Sequence, residues 1–112
     1  MSQNNTPCLT LPVKLTAPVL KYTFVDLTGA NATAAAYSHG VAMTDGAIGE
    51  VIPVVVLGTA PVIASAAIAK GAKVEVAAAG KAATIAAGIA VARAMEAAAA
   101  ANQIIEVLLL PN

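Results

Sequence analysis

The sequence predicts a mainly β fold: a small β-barrel or sandwich of short strands, with one or two short helical turns and an extended N-terminal arm. Three observations predict it. Glycines punctuate the chain after residue 39 at short, nearly even intervals, at Gly40, Gly49, Gly58, Gly71, Gly80 and Gly88, and evenly spaced turn signals mark all-β sandwiches and barrels. The segments between them, among them GVAMT, EVIPVVVLG, APVIA, KVEVAAAG and IIEVLLLP, have the lengths of strands rather than helices. Two stretches alternate with a period of two: Val74 and Val76 against Lys73 and Glu75, and Leu20, Tyr22 and Phe24 against Lys21, Thr23 and Val25.

The elements follow in order. Pro7, Pro12 and Pro18 interrupt the first residues, and proline at that density suits an extended arm or an edge strand. Residues 1–18 are therefore assigned to an arm and residues 19–112 to a single β domain. The alternation predicts a strand over residues 20–27. The stretch TGANATAAAYSHG has no apolar periodicity and reads as a loop. A strand over residues 51–57 ends at LGTAP, a turn composition between two β-branched runs. Ser65 can cap one helical turn in SAAIAKG, with Gly71 as the left-handed residue after it. A strand is predicted over residues 73–77.

The run AVARAMEAAAAA is the ambiguous one, because alanine is the best helix former. As a helix it would scatter Ile89, Arg93 and Glu96 on one side and Val91 and Met95 on another, with no apolar stripe to pack. As a strand over residues 88–95 it sets Ile89, Val91, Arg93 and Met95 on one face and alanines on the other, where a second layer can approach closely. A short helical turn in EAAAAAN ending near Asn102 then leads to a last strand over residues 104–110, stopped by Pro111.

Composition narrows the function. The chain has 112 residues, 59% hydrophobic but only 3% aromatic and 11% charged, against about 25% charged in an average domain. So few charges leave apolar surface, and such patches mark contacts with other chains or membranes. Six basic and six acidic residues give a net charge of zero with no basic cluster, which removes the phosphate-neutralising stripe that nucleic-acid binding requires. Cys8 is the single cysteine, so neither an intrachain disulfide nor a cysteine metal cage is expected. The N-terminus lacks the pattern of a secretory signal. Residues 51–69 are uncharged between Glu50 and Lys70 and long enough for a membrane span, but Pro53 and Pro61 interrupt a helix there and no aromatic or basic belt flanks it.

No catalytic constellation emerges. Ser38, His39 and Asp45 are the only trace of a hydrolase set, and adjacent Ser-His on a loop does not form a triad. TDGAIGE lacks the ligand spacing of a calcium loop, so Thr44, Asp45 and Gly46 read as a turn. TGANATA lacks the lysine of a phosphate loop. No enzyme activity, cofactor or metal is expected.

The succession HGVAMTDGAIGEVIPVVVLGTAPV, AAIAKGAKVEVAAAGKA and GIAVARAMEAAAAANQIIEVLL resembles the capsid cement, or head decoration, proteins of tailed bacteriophages, over roughly residues 16–110. The resemblance implies a mostly β, usually trimeric protein made in the host cytoplasm. On the outer surface of the virion it would bind the major capsid protein and strengthen the head by bridging neighbouring subunits. On that reading Leu9, Leu11, Val13 and Leu15 of the arm are candidate capsid contacts, offering alternate side chains to a neighbouring sheet edge, and Arg93 and Glu96 are candidate contacts between copies. A small membrane-inserted or membrane-associated protein built on residues 51–69 is the alternative.

Overall fold

The structure, a computed structural model, describes residues 7–86 and 88–110; the first residues of the predicted arm and the stop at Pro111 lie outside them. Among the described residues eight strands follow one another: β1 Pro7–Lys14, β2 Phe24–Val25, β3 Gly40–Ala42, β4 Val51–Ile63, β5 Lys73–Val76, β6 Ala82–Thr84, β7 Ala92–Ala94 and β8 Ile104–Leu109. A 3-10 turn at Ala78–Gly80 precedes β6. The order in the sheet is β2-β3-β4-β8-β7-β5-β6, with β1 also on β4. The fold is mainly β, as the glycine spacing predicts.

β4 organises the molecule. Its first half lies between β1 and β3: Val54 pairs with Leu11 on one side and Ala42 on the other. Its second half pairs with β8, from Thr59 opposite Leu108 to Ile63 opposite Ile104. The predicted turn at LGTAP is therefore a bend inside one continuous 13-residue strand. Gly58, at φ 99°, supplies the left-handed backbone that passes the strand from one group of partners to the next. The sheet then curls. β8, β7, β5 and β6 follow in order, and a parallel bridge from Ala64 to Ala82 returns to the end of β4. The Ser65 amide and hydroxyl both donate to the Ala82 carbonyl, at 2.7 and 3.0 Å, and nearly close a barrel.

β1 is the edge strand its prolines require. Pro12 faces Pro53 in the β1–β4 ladder, while the Pro53 carbonyl accepts from the Met43 amide at 3.1 Å on the β3 side. A residue's N–H and C=O point to the same side of a strand, so the donor missing at Pro53 is on the β3 side and the one missing at Pro12 faces away from β4. The β1–β4 ladder loses no hydrogen bond to either proline.

The barrel interior is filled by Phe24 with many small residues, among them Ala60, Val62, Ala64, Val74, Val76, Ala82, Ala92, Ala94, Ile105 and Val107. A second buried cluster of Leu15, Val19, Val25, Ala42, Ile52 and Val54 lies apart from it. Adjacent Val54 and Val55 point into different clusters, so both faces of β4 are covered at that point, while Val51, Pro53 and Leu57 of the same half remain exposed.

Four local expectations are corrected. The strand expected over residues 20–27 is reduced to Phe24–Val25, because Tyr22 takes φ 64° and Thr23, Phe24 and Val25 are all buried rather than alternating. The helical turn capped by Ser65 does not form; Ile68 instead bridges Ala98, each amide donating to the other's carbonyl at 2.9 Å. That same bridge replaces the helical turn expected in EAAAAAN, since a tertiary pairing outweighs alanine's weak intrinsic preference. The strand over residues 88–95 narrows to Ala92–Ala94, with Ala92 and Ala94 buried and Arg93 and Met95 outward as expected, but Val91 is buried too. The uncharged segment that could have been a membrane helix contributes strand β4, and no helix among the described residues is long and apolar enough to cross a membrane.

Candidate functional site

No side-chain constellation of an active site is assembled around the residues that could have formed one. The His39 amide donates to the Val25 carbonyl at 2.7 Å, and the Ser38 hydroxyl donates to the Gly40 carbonyl at 3.1 Å. Asp45 Oδ1 accepts from the Lys21 amide at 2.7 Å, so Asp45 braces a loop instead of orienting the histidine. Glu50 reaches back to the Ala47 amide. Both carboxylates border an open groove of about 390 Å³, whose wall also includes Pro18, Leu20, Asn31 and Gly46.

The same use of acidic groups recurs, and sequence reading missed it. Asp26 Oδ1 accepts from the Thr28 amide at 2.9 Å and from the Thr28 hydroxyl at 2.6 Å. Glu75 Oε1 accepts from the amides of Ala86 and Gly88, both at 2.9 Å. Glu96 Oε1 accepts from the Glu106 amide at 2.9 Å. Asp26 and Glu75 thus satisfy loop donors, and Glu96 an amide near the start of β8. Asp two residues before Thr in DLTG was a readable turn signal; the role of Glu75 was not, because its partners lie eleven and thirteen residues away.

The candidate contact residues separate. Leu9 and Leu11 are 43% and 36% exposed, whereas Leu15 is 1% exposed and belongs to the second buried cluster, against which half-buried Val13 packs. Leu9 lies opposite Leu57, itself 46% exposed, so the edge of the sheet carries an apolar pair open to a partner. Arg93 is exposed on the outer face of β7, while Glu96 is partly buried and holds the start of β8. The two are thus not an equivalent pair: Arg93 is available and Glu96 is already engaged.

A small, nearly closed barrel with exposed leucines on an edge strand, and acidic groups spent on loops, describes a structural binding protein. Residues 2–109 match the phage cement protein family, and the chain belongs to that family. It is a phage structural protein associated with the virion. The crystal structure of the N base of head fiber gp8.5 in bacteriophage phi29 is similar, with a TM-score of 0.75 over 91% of this chain and 93% of that one, at 18% identity; the likeness extends to the fold. No curated protein matches the chain.

Proposed function

We propose that the protein binds the outside of a phage head, bridges neighbouring copies of the major capsid protein and so stabilises the shell, acting as a homotrimer. The observation that carries this reading is membership of the cement family over residues 2–109. The surface supports it: Leu9, Leu11, Leu57, Leu108, Ile48 and Val51 are exposed on a small domain, and apolar side chains in that number call for a covering partner. The exposed leucines of β1 are the proposed capsid contacts, with Val13 at their border. Cryo-electron microscopy of expanded heads mixed with the protein tests the reading. Density on the outer surface that straddles two capsid subunits is expected; density confined to one subunit would remove the bridging role, and undecorated heads would remove the function.

A further inference from the structure

Acidic and basic groups are used differently in this neutral chain. Asp26, Asp45, Glu50, Glu75 and Glu96 each accept a backbone N–H, and Glu106 is 5% exposed. Among the cations, Lys81 Nζ donates to Asn102 Oδ1 at 2.9 Å and Lys21 Nζ sits 5.3 Å from the centre of the Tyr22 ring. Lys14, Lys70, Lys73 and Arg93 make no ion pair or side-chain hydrogen bond among the described residues. Five of the six acidic residues are hydrogen-bonded to backbone amides, while four of the six cations have no such engagement among the described residues.

Two of the free cations meet. The β5–β7 register sets Lys73 opposite Arg93, and the β7–β8 register sets Arg93 opposite Leu108. Cross-strand partners share a face, and all three are exposed. Like charges directly opposite each other destabilise a sheet, so this arrangement contributes nothing to the fold. Neither carboxylate that alternation puts on this face forms an ion pair with them: Glu75, two residues from Lys73, is turned to the amides of Ala86 and Gly88, and Glu106, two from Leu108, is buried. Met95, two residues from Arg93 and 38% exposed, adds apolar area beside the charges.

The geometry points to this outer face of β5, β7 and β8 as a docking surface for the carboxylates of an acidic protein surface, with Lys73 and Arg93 as the paired anchors and Leu108 and Met95 as the apolar contact. The inference rests on the proposed decoration of a phage head and identifies the acidic surface with the shell. Charge complementarity selects this occupant. A second copy of the chain brings carboxylates that already hold its own loops, and a nucleic acid requires a longer run of cations than this face carries.

The test compares wild type, K73E/R93E and K21E/K81E for binding to expanded, undecorated heads of its phage at low and high salt, with far-UV circular dichroism and light scattering on each variant. K73E/R93E is expected to fold, keep the wild-type oligomeric state and bind about tenfold or more weakly, with a flatter salt dependence. K21E/K81E, with the same change in net charge and away from both β1 and this face, is expected to bind within about twofold of wild type. Should K73E/R93E fail to fold, K73Q and R93Q replace it with the same expectation of weaker, less salt-sensitive binding. Equal binding by wild type and K73E/R93E overturns the inference while leaving decoration intact, as does equal loss in both double variants. A changed oligomeric state in K73E/R93E reassigns the face to self-association, and binding of a 20-base-pair DNA duplex by wild type but not K73E/R93E reassigns it to phosphate; either overturns the inference. Wild-type protein that does not bind heads overturns both the inference and the proposed function.

Discussion

Phe24 is the chain's single phenylalanine and is fully buried among small residues, so no neighbouring side chain can expand to replace it. Phe24→Ala is expected to cost about 3–5 kcal/mol, a large part of the roughly 5–15 kcal/mol typical of a domain, and chemical denaturation should show it as a sharply lowered midpoint. Glu75 works differently, since one carboxylate oxygen satisfies two amides. Glu75→Ala removes both bonds and, because water can reach these amides, is expected to cost about 0.5–1.5 kcal/mol, while Glu75→Gln keeps an acceptor oxygen and should cost less; equal midpoints for E75A and wild type would contradict that role. Two glycines make a matched comparison. Gly29 and Gly71 have similar positive φ, 90° and 85°, but a Cβ on Gly29 would collide with the Lys14 carbonyl whereas one on Gly71 meets nothing within 4 Å. Gly71→Ala should therefore lose only the left-handed preference, about 1 kcal/mol, and Gly29→Ala clearly more, as read by thermal melts of the two variants.

Among the elements, β1 is where the sequence-based expectation changes most. An arm over residues 1–18, outside the β domain, implies that residues 2–12 can be lost without harm to the core, yet β1 pairs along Val51–Gly58 of its own chain from Pro7 to Lys14. Deleting them is now predicted to bare one edge of β4 and to lower stability and promote aggregation, because an uncovered, apolar edge is a template for further pairing; size exclusion of the truncated protein measures it. Unchanged monodispersity and melting temperature would show that β1 contributes little. Alternation made β5 legible, since Val74 and Val76 needed a single buried face, and the apolar run of β8 was legible against Pro111. The β4 bend was not, because a glycine near a proline reads the same whether the chain reverses or bulges; what decides is β8, arriving some forty-five residues later to pair with Thr59–Ile63. The alanine run misled for the same reason: alanine accepts any backbone, and the distant Ile68 chose it. The exposed leucines of the candidate surface could be read from β1's composition, but the buried place of Leu15 and the engagement of Glu96 depend on contacts no local pattern encodes.

At the scale of the molecule, a barrel lined with alanine and valine is thin, and it buries its apolar residues without exhausting them; Leu9, Leu57 and Leu108 remain outside. The proposed trimer would cover part of that surface and the proposed contact with the shell another part. Light scattering after size exclusion is expected to give three copies per particle, and a monomer that also ignores heads would remove the assembly account. The proposed strengthening of a capsid follows from mass action, since anything that binds the assembled shell in preference to its parts stabilises it. The most direct measurement is the temperature at which expanded, DNA-filled heads release their DNA, with and without saturating protein. The account predicts a higher release temperature for decorated heads, rising with occupancy; saturated heads that open at the same temperature as bare ones would contradict it.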